Sequence, residues 1–375
     1  MIKVTPVMKP VSTECNINCD YCYHKILRIL PEKINVMEDK ILLNVIKNLS
    51  ESKQNFFKFI WHGGEPTLAG VDFYERAIKH QKCVLKDRKF YNSIQTNGIA
   101  INSEWCDFLK KYDFSAGVSL DGPKKIHDKH RRFLDGKGTF DEVMKSIKLM
   151  SEKEINVGIV AVVTKESLGC EEEMLDFFCQ NNLFRLNFSP AADFRENGEL
   201  EDYSINPNQW GRFLFNIFKL WTKRNDPRLK IQLFDSLIQG LIGGESKLCV
   251  CRKDCSEFIS INHKGEAFFC GRLLDREDFM IGDLNKNPID YIFRNGGMLN
   301  DIQRRIACSD RMCEKCRWLE MCHNGCPVHR LKMGTNSFGH FYFCESMKII
   351  LPEIERYLDD YGLIDKERIN CYNSE

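Results

Sequence analysis

The sequence predicts an α/β fold in which a partial (β/α)6 barrel precedes a small cysteine-rich domain with a β-hairpin and a closing C-terminal helix. Up to about residue 190, short β-rich runs alternate with amphipathic helical patterns, and from Cys249 onward the periodicity weakens while cysteines accumulate. Alternating strands and helices favour parallel strands joined by right-handed crossovers. Six such units are too few for an eight-stranded barrel, so an open, partial barrel is expected.

The strands of the predicted barrel are short apolar runs bounded by polar turns. They are Val4–Lys9, Phe56–Trp61, Phe90–Thr96, Phe114–Leu120, Val157–Val163 and Phe184–Ser189. The helices predicted between them are Asp39–Leu49, Asp72–Val84, Glu104–Lys111, Phe140–Ser151 and Glu171–Gln180. Functional groups of parallel sheets lie at the carboxyl ends of the strands, so motifs directly after these strands indicate a site.

The second half is predicted to be one long helix, a hairpin and a closing helix. Pro207–Lys223 carries an apolar face that should pack into a core. The runs Glu257–Asn262 and Glu266–Cys270 flank a short turn and predict a hairpin. A closing helix is predicted from Met347 to Tyr361. The predicted domains are residues 1–235, 236–350 and 351–375.

Composition narrows the classes of function. Lys and Arg number 54 against 53 Asp and Glu, a balance that predicts no broad basic face for nucleic acid. No apolar run reaches the roughly 18 residues of a membrane span, and the first residues lack the pattern of a signal peptide. We therefore expect a cytoplasmic protein without a membrane partner. Eighteen cysteines in a reducing compartment favour metal binding over disulfides.

The first cysteine motif, Cys15-x3-Cys19-x2-Cys22, directly follows the first predicted strand. Three thiolates on one loop can hold a four-iron cluster and leave one iron open to a small chelating molecule. The alternative is a zinc site, which needs four ligands and could recruit His24.

Further motifs follow the next three strands. Gly63-Gly64-Glu65-Pro66 comes after Trp61-His62, and paired glycines let the backbone approach a ligand closely. Gln95-Thr96-Asn97-Gly98 ends the third strand, and Ser119-Leu120-Asp121-Gly122-Pro123 ends the fourth. His127 and His130 lack the spacing of a helical metal pair and are interpreted as part of a surface loop.

Together these motifs resemble the radical S-adenosylmethionine (SAM) superfamily. The resemblance implies that Cys15, Cys19 and Cys22 bind the cluster that reduces SAM to methionine and a 5′-deoxyadenosyl radical, which then abstracts a substrate hydrogen. It also implies SAM contacts from a set of residues after the strands: Tyr21, Gly63, Gly64, Glu65, Ser119, Arg131 and Ala192.

The second half adds eight cysteines, enough for two fully ligated four-iron clusters. Their spacing resembles the SPASM domain, and in particular that of anaerobic sulfatase-maturating enzymes. The resemblance assigns one auxiliary cluster to Cys249, Cys255, Cys270 and Cys326. It assigns the other to Cys313, Cys316, Cys322 and Cys344. The expected cofactors are therefore three [4Fe-4S] clusters and SAM; two zinc sites are the alternative, because paired cysteines serve zinc equally well.

Two positions decide between kinds of maturase. Sulfatase maturases oxidise Cys or Ser to formylglycine and place an Asp base directly after the third ligand of the first auxiliary cluster, where this chain has Gly271. They also usually carry Gln where this chain has His62. Both departures resemble maturases that build crosslinks, including cyclophanes, in ribosomally made peptides. His62 and Asp275 are the candidate catalytic residues.

The favoured prediction is a radical SAM oxidoreductase that crosslinks a peptide or protein substrate, with sulfatase maturation as the alternative. A reductant such as flavodoxin or ferredoxin is the expected partner. Two further hypotheses are an enzyme acting on a small molecule, such as an aminosugar dehydrogenase, and a non-catalytic zinc scaffold. Iron content separates the scaffold from the enzymes, because three clusters predict about twelve irons in a brown protein.

Overall fold

The computed structural model describes residues 3–24, 34–246, 248–274, 276–294, 297–307, 311–331, 335 and 337–363. Its strands, β1 to β12 in chain order, are Thr5–Met8, Asn18–Cys19, Phe56–Trp61, Lys89–Thr96, Ser115–Ser119, Arg131–Arg132, Val157–Val163, Arg185–Pro190, Lys230–Ile231, Phe258–Ile261, Glu266–Phe268 and Met280–Asp283. Its helices, α1 to α13, are Asp39–Ser50, Val71–Leu85, Ser103–Lys111, Lys124–His130, Phe140–Glu152, Glu171–Gln180, Pro207–Arg224, Gln232–Leu241, Ile289–Arg294, Gly297–Ala307, Arg311–Glu314, Leu319–Cys322 and Cys344–Asp360.

The chain forms two compact units. Unit 1 comprises residues 1–120, 124–160 and 256–304, and unit 2 comprises residues 121–123, 161–255 and 305–375. Strand β7 begins in unit 1 and ends in unit 2. These units are defined by contacts between residues, and the domain boundaries near residues 235 and 350 stay a prediction.

Unit 1 is built on a largely parallel sheet with the order β12-β11-β10-β1-β3-β4-β5-β7. Strand β1 runs parallel to β3 on one side and to β10 on the other, so the chain returns to its first strand late in the sequence. Strands β10 and β11 are antiparallel, which confirms the predicted hairpin. The α/β fold is confirmed, and the run of parallel strands is consistent with a partial barrel.

Buried and exposed side chains alternate along β3, which shows why these residues form a strand. Phe57, Phe59 and Trp61 are fully buried, and their neighbours Phe56 and Lys58 point to solvent. The ring of Tyr74, on α2, stands edge-on to Trp61 at a centroid distance of 5.1 Å. The indole nitrogen donates to Asn92 Oδ1 at 2.8 Å and the Tyr74 hydroxyl donates to the Pro66 carbonyl at 2.9 Å, so both polar atoms of these two rings are satisfied. This packing fixes the end of β3, where the glycine motif begins.

Unit 2 packs the long helix α7 against the closing helix α13. Gly211 allows the close approach, since a Cβ there would lie 2.6 Å from Ile349 Cδ1. Ser346 Oγ donates to the Pro207 carbonyl at 2.6 Å and joins the two helices at one end. The apolar face of α7 is buried, as predicted. In the same unit β8 pairs in parallel with the short strand β9.

The interpretation of His127 and His130 as a surface loop is wrong. Both lie in α4, and their exposed fractions are 0% and 4%. His127 Nε2 lies 2.9 Å from Thr139 Oγ1, which in turn donates to the Arg131 carbonyl. Hydrogen bonds to their partners compensate for the burial of these polar rings. The sequence alone does not show these partners, because they lie more than one helical turn away along the chain.

No helix within the described residues combines the length and apolar character needed to cross a bilayer.

Candidate functional site

The cysteine loop leaves the carboxyl end of β1 and is held by backbone pairing. Within this loop, β2 pairs with β6, which sets Cys19 opposite Arg131 and Asn18 opposite Arg132. The Cys22 N–H donates to the Cys19 carbonyl at 3.3 Å and closes a turn that carries two of the three thiols. The three predicted ligands of the first cluster therefore share one short, folded loop.

Asp20 ties this loop to the segment that follows α4. Its carboxylate accepts two hydrogen bonds from Arg132 Nη2, both at 2.9 Å, and lies 2.9 Å from His130 Nδ1. His130 is buried and Asp20 is partly buried, so solvent screens the interaction less than at an open surface. Sequence analysis missed this anchor.

Arg131 lies beside the cysteine loop. Its guanidinium stands 5.3 Å from the Tyr21 ring centroid, and Nη1 donates to Cys19 Sγ at 3.9 Å. A buried cation next to a thiol favours the thiolate that an iron cluster needs. The roles predicted for Tyr21 and Arg131 in SAM binding stay predictions.

The paired glycines lie against the start of the cysteine loop. Gly63 and Gly64 have positive φ angles of 98° and 53°. A Cβ on Gly64 would lie 2.1 Å from the Glu14 carbonyl oxygen, and the Glu65 N–H donates to that same oxygen at 2.7 Å. Only glycine fits both the backbone angle and the contact, which explains the motif in structural terms.

The Glu65 carboxylate is buried and accepts four hydrogen bonds. Oε1 accepts from the Thr67 N–H, the Thr67 hydroxyl and the Thr96 hydroxyl, and Oε2 accepts from the Asn97 N–H at 2.6 Å. Burial raises the pKa of Glu65, and these donors oppose the rise. Asn97 Nδ2 also lies 3.7 Å from Cys15 Sγ. Glu65 therefore joins the ends of β3 and β4 next to the cysteine loop.

Ser119 ends β5, the strand beside β4. Gln95 Nε2 donates to its hydroxyl at 3.3 Å. A Cβ on Gly117 would lie 2.1 Å from Gln95 Oε1, so glycine makes room for the Gln95 side chain between the strands. Ala192 lies in unit 2, after β8. Both residues stay predicted SAM contacts.

His62 belongs to a polar group formed with Tyr23, His24 and Lys9. His62 Nε2 lies 3.2 Å from the Tyr23 hydroxyl, and its Nδ1 is buried without a hydrogen-bond partner in the described part of the chain. Burial, and then the charge of Lys9, lowers the pKa of His62 to about 3, so the imidazole is neutral at physiological pH. The catalytic role predicted for His62 stays a prediction.

Gly271 follows Cys270 and is crowded on both sides. A Cβ there would lie 2.7 Å from Ser260 Oγ and 2.9 Å from Lys9 Cε. Lys9 Nζ donates to the Gly271 carbonyl at 3.1 Å. The other catalytic candidate, Asp275, lies outside the described residues. Sequence analysis also missed Lys9, although a lysine at the end of a predicted strand was a visible signal.

Cys313, Cys316, Cys322 and Cys344 lie in unit 2, and their assignment to one auxiliary cluster stays a prediction. Burial, and then negative charge on Cys344, Cys313, Cys251 and Cys316, raises the pKa of Cys322 to about 12. Cys313 Sγ also donates to Asn324 Oδ1 at 3.0 Å. A buried thiol beside three others is costly to ionise unless a cation is present, so this donor set fits an iron cluster.

The other auxiliary set is divided between the two units. Cys249, Cys255 and Cys326 belong to unit 2, and Cys270 belongs to unit 1. Cys251, a cysteine without a predicted role, is buried, and burial raises the pKa of its thiol to about 12. Within the described residues, no three His, Cys, Asp or Glu side chains converge as they would around a single metal ion.

Comparison with known proteins decides the family. Residues 10–178 match the model of the Radical SAM superfamily. A cysteine-type anaerobic sulfatase-maturating enzyme from Clostridium novyi (strain NT) is 32% identical, over 93% of this chain and 94% of the relative. The chain belongs to the anaerobic sulfatase-maturating enzyme family, within the radical SAM superfamily.

Solved structures agree with this membership. Native anSMEcpe with bound AdoMet and the Cp18Cys peptide superposes with a TM-score of 0.86 at 27% identity, over 96% of this chain and 99% of that one. Streptococcus suis SuiB bound to its precursor peptide SuiA superposes with a TM-score of 0.65 at 17% identity, over 92% of this chain and 76% of that one, and shares the fold. The chain is therefore an oxidoreductase-type enzyme that uses SAM and an iron–sulfur cluster.

Proposed function

We propose that this enzyme removes a hydrogen atom from a side chain of a ribosomally made peptide and joins that carbon to a neighbouring residue. The observation that carries this proposal is Gly271. It occupies the position at which the resemblance to sulfatase maturases calls for an Asp base, and glycine has no side chain to accept a proton.

The surroundings of Gly271 also argue against a proton-accepting side chain at this position. Ser260 Oγ and Lys9 Cε occupy the space into which a side chain at this position would extend. The Lys9 amine donates to the Gly271 carbonyl, so the charged group in contact with this position is a cation rather than a carboxylate. Removing a thiol or hydroxyl proton from a substrate would need a different base.

Three [4Fe-4S] clusters and SAM are the proposed cofactors. Cys15, Cys19 and Cys22 would hold the cluster that reduces SAM, whose cleavage supplies the hydrogen-abstracting radical. Tyr21, Gly63, Gly64, Glu65, Ser119, Arg131 and Ala192 would hold SAM. Cys249, Cys255, Cys270 and Cys326 would hold one auxiliary cluster, and Cys313, Cys316, Cys322 and Cys344 the other. Forming the new bond removes a hydrogen atom from one partner, and a proton and an electron from the other; an auxiliary cluster is the proposed electron acceptor.

His62 is the proposed substrate-facing residue. Its pKa of about 3 makes the ring a neutral hydrogen-bonding partner rather than a cation. The Tyr23 hydroxyl at 3.2 Å from Nε2 orients the ring. We therefore assign His62 to positioning the substrate and leave proton removal to solvent or to the substrate.

A peptide substrate is supported by the relatives, since both anSMEcpe and SuiB have been solved with peptides bound. An external reductant such as flavodoxin or ferredoxin would supply electrons for SAM cleavage. The cysteine-rich chain suits the reducing cytoplasm, where free thiols remain available for clusters.

Sulfatase maturation is the second candidate, favoured by the 32% identity to a sulfatase-maturating enzyme over nearly the whole chain. Anaerobic incubation of the reconstituted enzyme with a sulfatase Cys peptide and with short peptides encoded next to its gene separates the two. The proposal predicts a hydrazide-unreactive product that lacks two hydrogens, from a neighbouring peptide. A hydrazide-reactive aldehyde on the sulfatase peptide would instead establish formylglycine formation.

The Gly271→Asp variant sharpens this test, because it supplies the missing carboxylate, although the Ser260 hydroxyl and the end of the Lys9 side chain must shift to admit it. If the rest of the site matches that of sulfatase maturases, this variant should gain aldehyde formation that the wild type lacks. Gly297→Asp is the matched control, since a Cβ there meets no atom within 4 Å.

A further inference from the structure

Lys9 is a fully buried lysine without an acidic partner. Its exposed fraction is 0%, and within the described residues no carboxylate lies at ion-pair distance from its amine. A buried charge is costly unless an opposite charge compensates for it. The position therefore calls for negative charge supplied by something other than an acidic side chain.

The Lys9 side chain runs between two glycines. A Cβ on Gly63 would lie 2.6 Å from Lys9 Cγ, and one on Gly271 would lie 2.9 Å from Lys9 Cε. Both glycines thus leave room for the aliphatic part of the lysine. The path directs the amine toward the two cysteine segments of unit 1.

The amine contacts two residues that lie within two positions of a predicted cluster ligand. It donates to the carbonyl of Gly271, which follows Cys270, and lies 3.0 Å from Nε2 of His24, two residues after Cys22. Burial lowers the pKa of Lys9 to about 8, while negative charge on Cys270 and then on Cys22 opposes that fall. The amine therefore lies between the segments that carry Cys22 and Cys270.

We propose that Lys9 is a positioning residue shared by the clusters assigned to Cys22 and Cys270, holding both loops and raising both reduction potentials through its positive charge. The inference rests on the cluster assignment under the proposed function. Adding an electron makes a cluster more negative, so a fixed cation nearby favours the reduced form. In a low-dielectric interior this effect persists at high salt.

Lys9→Met tests the proposal, because methionine has a similar length and no charge. Iron content and EPR-monitored redox titrations are compared for the wild type, Lys9→Met and Lys40→Met. Lys40 is exposed on α1, so the control removes the same charge at the surface. We expect full iron content in all three proteins and more negative midpoint potentials for two clusters in Lys9→Met alone. Unchanged potentials in Lys9→Met with its clusters intact would overturn the proposal.

If Lys9→Met loses a cluster, the Lys9→Arg variant shows whether the missing charge is the cause, because arginine keeps the positive charge at all working pH values. Restored iron content with near wild-type potentials supports the proposal, and a continued loss of the cluster contradicts it. The number of clusters in the wild-type enzyme separates a failure of this inference from a failure of the cluster assignment. Wild-type enzyme holding a single cluster refutes the assignment itself, whereas a full complement with no effect of Lys9 refutes only the inference.

Discussion

The cysteine loop of unit 1 and the cysteine-rich tail of unit 2 carry similar ligands on different supports. The loop begins at the end of β1, pairs with β6 and is anchored by Asp20. The tail, residues 311–344, contains two helices of four residues each and a 3-10 turn at Pro327–Arg330. Hydrogen bonds between β2 and β6 support the first site, whereas the described part of the second, residues 311–331, 335 and 337–344, has little regular structure.

This difference indicates two kinds of metal site. The surroundings of the cysteine loop are formed by the fold, since Gly64, Glu65 and Asp20 contact neighbouring protein groups. The tail buries Cys322 among other thiols, and its folding should be coupled to metal binding. Each prediction below changes one side of this comparison.

Cys19→Ala should have the largest effect. It removes a ligand from the three-thiolate loop, so SAM cleavage should fall to background. Quantification of 5′-deoxyadenosine under anaerobic, reducing conditions measures this. Cys83→Ala, at an exposed position on α2, should retain wild-type cleavage. SAM cleavage by Cys19→Ala at the wild-type rate would contradict the assignment of Cys19 as a cluster ligand.

Removal of iron by a chelator should loosen the tail more than strands β3 and β4, whose ends lie next to the cysteine loop. Hydrogen exchange at residues 311–331 should become much faster, because the metal supports short helices that are marginal alone. Exchange in β3 and β4 should stay slow, since their hydrogen bonds lie within the sheet. Equal loss of protection in both regions would contradict the comparison.

Cys316→Ala should separate SAM cleavage from product formation. The variant keeps the loop of unit 1, so 5′-deoxyadenosine should still form, while modified peptide should be lost or the protein should lose solubility. Mass spectrometry of the peptide and the nucleoside assay together check this. Cys170→Ala, elsewhere in unit 2, serves as the control. Full product yield from Cys316→Ala would rule out an essential auxiliary cluster there.

Glu65→Gln should have the smallest effect of the four. An amide replaces one carboxylate oxygen and faces a group that donates rather than accepts, so the free energy of unfolding should fall by about 1–3 kcal/mol. SAM should also bind more weakly, because the ends of β3 and β4 are less well joined. Urea denaturation and SAM titration measure both effects. Glu104→Gln, exposed in the first turn of α3, should change neither.

The barrel strands and helices were predictable because their apolar patterns are local. Phe56–Trp61 and Val157–Val163 match the predicted strands, and Glu171–Gln180 matches the predicted helix. The predicted ligand cysteines and the glycine motif were visible for the same reason, since the chemistry predicted for them requires fixed short spacing.

Long-range partners explain most of what was missed. Asp20 meets Arg132 across 112 positions, and Lys9 meets Gly271 across 262. Strands β2 and β6 have two residues each, too short for any periodic pattern. The buried state of His127 depends on Thr139, and its surroundings along the chain are polar. Such contacts depend on the path of the folded chain, and no local pattern in the sequence shows which distant residues will meet.

The EPR spectrum of the reduced, reconstituted enzyme with and without SAM tests the central claim most directly. If Cys15, Cys19 and Cys22 leave one iron open while the auxiliary sets are closed, SAM should change the signal of one cluster and leave the others as they were. An unchanged spectrum at saturating SAM, or a change in every cluster signal, would contradict the account.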